Sequence, residues 1–205
     1  MRAFRIYRAL PLVLGLLQGA ASIHSQTLSD FTSLPDVTLV NQHGEKVRFM
    51  SDLVKNHVVV VNTVFTTCTT ICTPLGAKLA KLSNVLKDSD GKDVRLISIS
   101  VDPVTDTPKI LEAWAAKFGP AHNWTLLTGP EADVKRLLKA VNLFTADKSS
   151  HSPIMILANG TTGEWSRVNG LEQSPANLAD RLNKMARSLV PSGEHTRGIA
   201  GTHAH

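Results

Sequence analysis

The chain has 205 residues, enough for one packed domain with short extensions. Its apolar share of 42% excludes a disordered or collagen-like chain. The formal charge is +5, yet no Lys/Arg block with interleaved aromatics occurs, so nucleic-acid binding has no basis.

The N-terminus carries much of that charge. Arg2, Arg5 and Arg8 lead into an apolar run over 9–17, followed by Gly19, Ala20, Ala21 and Ser22. A charged stretch, a short apolar stretch and a small-residue zone form the layout of a secretory signal peptide. The run falls short of the roughly 20 apolar residues that a spanning helix needs. Residues 1–25 therefore read as a signal peptide, with an uncleaved membrane anchor as the alternative. The expected location is the periplasm, free or anchored facing it. The mitochondrial intermembrane space is the alternative, disfavoured because the apolar block is continuous rather than amphipathic. No cysteine lies near the cleavage zone to carry a lipid. Loss of the three arginines takes the charge from +5 to +2.

The domain is expected over 26–190. "QTLSDFTSLP" (26–35) reads as a polar linker, and "DVTLVNQHGEKVRF" (36–49) as a β-hairpin turning near Gly44. "HVVVVNTVF" (57–65) is nearly all apolar, the mark of a strand buried on both faces. Leu75, Leu79, Leu82 and Leu86 then give a one-sided helix. "DVRLISISV" (93–101) is a second strand. Thr107 before Pro108 fits a helix N-cap, and Ile110, Leu111, Trp114 and Phe118 supply that helix's apolar face. "NWTLLTG" (123–129) is a short strand. Val134, Leu137, Leu138 and Val141 mark a third helix. "PIMILANGTTGEWSRVNG" (153–170) reads as two strands about a turn at Asn159-Gly160. Leu178, Leu182, Met185 and Leu189 mark a last helix. The stretch 191–205, with His195, His203 and His205, reads as a disordered tail. This alternation predicts an α/β fold of thioredoxin-like layout: a central mixed sheet flanked by helices, with an N-terminal β-hairpin.

The two cysteines, Cys68 and Cys72, fall where the buried strand turns into the first helix. Thr66 or Thr67 is placed to cap that helix. With the helix starting near Cys68, the sulfurs share one face, with Cβ atoms roughly 5–6 Å apart. A relaxed disulfide wants about 3.5–4.5 Å. A loop this short also removes only about 2 kcal/mol of unfolded-state freedom. A structural staple is thus disfavoured. A helix N-terminus favours thiolates, which are both nucleophiles and soft-metal ligands. Two sulfurs alone leave a metal under-coordinated. Of the eight histidines, His151 is the best third ligand. Its loop enters a strand which, in a thioredoxin-like fold, comes up against the cysteine-bearing helix end. Pro153 stands where that fold often has a cis-proline.

At this point the chain resembles the Sco/SenC family of copper-binding proteins, associated with assembly of the cytochrome c oxidase copper centre. "FTTCTTIC" looks like the family's Phe-Thr-x-Cys-x-x-x-Cys motif, and "SISVDPVTDTP" is similar to its strand followed by Asp-Pro-x-x-Asp-Thr-Pro. "LEAWAAKFG", "WTLLTG" and "SHSPIMIL" follow in the family's order. The resemblance implies that Cys68, Cys72 and His151 bind one copper ion per chain. It implies delivery to the copper-site subunit of cytochrome c oxidase or another copper-accepting exported protein. Asp102 and Asp106 match the family motif, with turn-making and helix capping as their favoured role. The family often has Pro and Asp inside the cysteine loop, Pro directly after the second Cys and an acidic residue before the His. Here Thr69, Thr70 and Ile71 fill the loop, Pro comes at Pro74, and Ser150 precedes His151.

Two functions follow. One is a metallochaperone holding copper through Cys68, Cys72 and His151. The other is a thiol–disulfide oxidoreductase, with Cys68 as nucleophile, Cys72 resolving and Pro153 aligning a substrate strand. Peroxide reduction is disfavoured, because Phe65 stands where a peroxiredoxin has Thr.

Overall fold

The computed structural model describes residues 31–87 and 94–187. The expected signal or anchor segment over 1–25, Leu189 and the histidine tail lie outside the described residues. Three strands run parallel at the centre: β3 (Val58–Val64), β4 (Val94–Ser100) and β5 (Trp124–Thr128). The hairpin of β1 (Thr38–Asn41) and β2 (Lys46–Arg48) adds antiparallel to β5. On the other side β6 (Ile154–Asn159) and β7 (Trp165–Asn169) add antiparallel to β3, giving the order β2-β1-β5-β4-β3-β6-β7. The expected thioredoxin-like mixed sheet with its N-terminal hairpin is present.

Every residue of β3 is buried, because both faces of the sheet are covered. Val58, Val60 and Val64 meet α1 (Cys72–Lys87), α2 (Pro108–Ala116) and α4 (Pro175–Arg187) through Leu75, Leu79, Leu111, Trp114, Leu178 and Leu182. Val59 and Val61 face the opposite core, where α3 (Glu131–Ala140) contributes Val134, Leu137 and Leu138. Thr107 caps α2, its hydroxyl accepting from the Ile110 N–H, with Pro108 at the first helical position.

Four details differ from the reading of the sequence. Phe31 and Leu34, taken as linker, are buried in the α3-side core, Phe31 within a single 3-10 turn at Phe31–Ser33. Phe49–Val54 forms one π-helical turn that buries Phe49, Leu53 and Val54; six residues are too few to show a helical period. Ile110 is exposed, so Leu111 and Trp114 anchor α2. Finally, α1 begins at Cys72, not near Cys68. Pro74 falls in its first turn, where a missing N–H costs no intrahelical bond.

Gly160 follows β6 and needs no left-handed backbone. It is required because the chain passes against Val54: a Cβ there would overlap the Val54 carbonyl oxygen and lie 2.7 Å from its carbon. Gly160 also donates its N–H to the His57 carbonyl at 2.8 Å, so neither segment can withdraw freely. Gly160→Ala should cost about 2 kcal/mol and lower Tm by about 4–8 °C in thermal unfolding. An unchanged Tm would show that the close approach is relaxed in solution.

Candidate metal centre

Beyond Val64 the chain leaves β3 in a tight turn, with the Cys68 N–H donating to the Phe65 carbonyl at 3.2 Å. Cys68 therefore sits on a loop, and the expected pairing of both sulfurs on one helix turn is not what forms. Nor does Thr66 cap α1: its N–H and hydroxyl both donate to Asp106, at 3.2 and 2.6 Å. Cys72 opens the helix and points into the α1-side core, 1% exposed. His151 arrives from the other direction, three residues before β6. The pairing of β6 with the end of β3 carries it to the cysteine loop.

The three donor atoms all lie within 4.8 Å of one another. His151 Nε2 is 3.1 Å from Cys72 Sγ and 3.9 Å from Cys68 Sγ. His151 Nδ1 is 2.8 Å from the Lys148 carbonyl, which can only accept. The ring is thus the Nδ1–H tautomer, with the Nε2 lone pair turned toward the sulfurs. Phe65 packs edge-on against the imidazole, ring centres 4.8 Å apart, and closes one side. Both cysteines are free thiols, and all three residues are buried.

The thiols have opposite acidities. Burial opposes ionisation of Cys68, but it is outweighed by bonds from the Thr70 hydroxyl and from the Cys72 and Thr70 backbones. The thiol is lowered to about 7. Thr70 Oγ1 stands 3.5 Å from its sulfur. Cys72 is raised to about 12, first by burial and then by the Cys68 sulfur and the negative charge of Asp106. The expectation that the helix end acidifies both thiols thus holds only for Cys68. Burial lowers the His151 pKa and so favours the neutral ring at pH 7, although the Lys148 carbonyl partly offsets it.

Asp106 and Asp102 do more than shape a turn. Asp106 is fully buried and receives Thr66 on one oxygen and Ser100 on the other. Asp102 pairs with Lys148 at 2.6 Å, and Lys148 holds its carboxyl below the usual range. Sequence spacing pointed to neither contact, since Thr66 and Lys148 lie some forty residues away on either side. Among the described residues no other histidine is gathered here: His43, for example, makes an exposed pair with Glu112 at 3.4 Å. Pro153 is not the expected cis-proline, because no cis peptide occurs among the described residues. Its carbonyl instead accepts from Gly170 N–H at 2.8 Å.

Two sulfurs and an oriented imidazole form a donor set that fits a soft ion. Alkylation of the copper-free protein with iodoacetamide should label Cys68 first. Its rate should rise with pH and level off above about 7, while Cys72 stays protonated and slow throughout. Mass mapping of the first adduct to Cys72 would contradict this electrostatic arrangement.

Comparison with known proteins agrees with the fold. The SCO1/SenC family model matches residues 26–187. A SCO1 protein homolog of Bacillus subtilis is 42% identical over 93 residues, which is 45% of this chain and 47% of the relative. A SCO2-like protein of Rickettsia prowazekii is 30% identical over 112 residues, 55% of this chain and 52% of the relative. The chain thus spans about half the length of these curated relatives. Among solved structures, a SCO1/SenC family lipoprotein from Bacillus anthracis has a TM-score of 0.65 at 28% identity, over 75% of this chain and 94% of the other. BsSco, a member of the Sco family of cytochrome c oxidase assembly proteins with a disulfide switch, has a TM-score of 0.64 at 29% identity, over 75% and 93%. ScoI of Bradyrhizobium japonicum, solved with copper bound, shares the fold at 23% identity and a TM-score of 0.61, over 72% and 96%. With its family match running through both cysteines and His151, the chain belongs to the SCO1/SenC family.

Proposed function

We propose that this protein holds one copper ion through the thiolates of Cys68 and Cys72 and the Nε2 atom of His151, and hands it to an acceptor. The convergence of the three donor atoms within 4.8 Å carries the reading. Thiolate sulfur selects copper(I), whereas zinc in structural sites almost always takes four ligands, and the described residues offer three. The BsSco relative belongs to cytochrome c oxidase assembly proteins. The acceptor proposed here is accordingly the copper-site subunit of that oxidase or another exported copper protein. The Bacillus anthracis relative is a lipoprotein, and Arg2, Arg5 and Arg8 ahead of an apolar run favour export of this chain as well. We place it in the periplasm, free or anchored, with residues 26–190 as the functional domain.

The acidities say how the ion enters. Cys68 is about half thiolate near pH 7, so copper meets an anion there first. Cys72 must give up its proton as its sulfur is engaged. His151 Nε2, 3.1 Å away and carrying a lone pair, can receive that proton and then release it before binding.

A second reading draws on the same asymmetry. An acidic, loop-borne thiol beside a high-pKa buried one suits thiol–disulfide exchange. Cys68 thiolate would attack a target disulfide and form a mixed disulfide. Cys72, deprotonated by His151, would then displace it. The target leaves as a dithiol carrying two electrons from the pair, and the bond formed is the Cys68–Cys72 disulfide. In this reading Cys68 and Cys72 are the catalytic residues.

Titration of the reduced protein with Cu(I) should end at one ion per chain. Cys68→Ser, Cys72→Ser and His151→Ala should each weaken binding at least about tenfold. Unchanged affinity in the three variants would end the chaperone reading. Reduction of a target disulfide that survives His151→Ala in metal-free protein would favour the second. Calorimetry in buffers of different ionisation enthalpy should also find more than one proton released per Cu(I) at pH 7, one from Cys72 and a fraction from Cys68. Release of no protons would contradict the thiol assignments.

A further inference from the structure

The site is built from two separate arms. The cysteine arm leaves β3 and the histidine arm enters β6. Neither arm carries a disulfide or any other covalent tie to the other. The loop that follows β4, residues 102–106, touches both. Asp106 receives the N–H and the hydroxyl of Thr66, two residues before Cys68. Asp102 receives Lys148 Nζ at 2.6 Å, and the carbonyl of that same Lys148 orients the His151 ring. Ser100 joins the two halves, donating its hydroxyl to Asp106 at 2.6 Å and accepting the Asp102 N–H at 3.0 Å. The loop is itself tied down, because the Asp102 carbonyl accepts from the N–H groups of Thr105 and Asp106 at 3.0 and 2.9 Å.

We propose that Asp102 and Asp106 form a clasp that holds the histidine arm and the cysteine arm at ligand distance before any metal arrives. They are positioning residues, acting through Lys148 and Thr66. This rests on the copper-binding reading above and extends it to the DPVTDT segment. A turn alone would need neither contact, since Thr66 and Lys148 belong to other loops. The two halves differ in accessibility. In the first half Asp106 is fully buried. In the other half the Lys148 side chain is 49% exposed and that of Asp102 13% exposed. The Asp102–Lys148 pair is therefore the more accessible link of the clasp.

Asp102→Asn, Lys148→Gln and the double variant test this. Lys148 is a half-exposed surface residue, so Lys148→Gln leaves the fold intact and decides the matter even if Asp102→Asn does not fold. Each single variant should raise the Cu(I) dissociation constant about tenfold, as loss of an outer-shell partner does. The double variant should be no worse than either single one, because both remove one link. In copper-free protein, nitrogen NMR should find His151 as the Nδ1–H tautomer in the parent and as a tautomer mixture in Lys148→Gln. Parental affinity and tautomer in Lys148→Gln, or losses that add in the double variant, would overturn the clasp. Loss of copper in His151→Ala and Cys68→Ser alongside parental binding in Lys148→Gln would leave the copper reading standing. Failure of the parent itself to bind copper would remove that reading, and the tautomer comparison would still judge the clasp.

Discussion

The antiparallel register between β3 and β6 sets Val58 opposite Asn159 and Val61 opposite Ile156. Continued past the strand ends, it brings His151 opposite Thr66, beside the cysteine loop. Everything at the site depends on that alignment. Side chains alternate between faces, so a slip of one residue would turn the strand's apolar set from one core to the other. The register is defended from both sides. Val58 and Val60 face the core of α1, α2 and α4, while Val59 and Val61 face the core of α3. The functional geometry thus starts from how the central strands are buried, and the loop contacts of Asp106 with Thr66 and of Asp102 with Lys148 act within that frame.

From that alignment the chemistry follows by position. Cys72 starts α1 and lies in the core, so its ionised form is poorly solvated. Cys68 stands four residues earlier, on a loop with hydroxyl and backbone donors around its sulfur. One residue type at two depths gives one acidic thiol and one that holds its proton. The neutral imidazole between them can accept a proton from one sulfur while facing the other. The carboxylates of Asp106 and Asp102 are both engaged by other partners.

Much of this was legible in the residues. The valine run of 57–65, the leucine spacing of α1 and the Thr107–Pro108 cap each have a local physical cause, and each appears where the pattern set it. His151 could be singled out only through the inferred fold, since nothing in "KSSHSP" marks a ligand. What escaped the sequence was long-range. The helix start at Cys72 rather than Cys68 depends on Thr66 bonding Asp106 instead of capping. The burial of Phe31 and Leu34 depends on a core surface built from Phe49, Leu53 and Val54. The roles of Asp102 and Asp106 depend on Lys148 and Thr66, and no periodicity links residues so far apart.

The central claim is that one soft ion is held by two sulfurs and one imidazole. X-ray absorption of the protein loaded with one equivalent of Cu(I) tests it directly. Two sulfur scatterers and one imidazole nitrogen per copper are expected, with the imidazole signal lost in His151→Ala. Copper coordinated by nitrogen alone, or an imidazole signal that persists without His151, would contradict it.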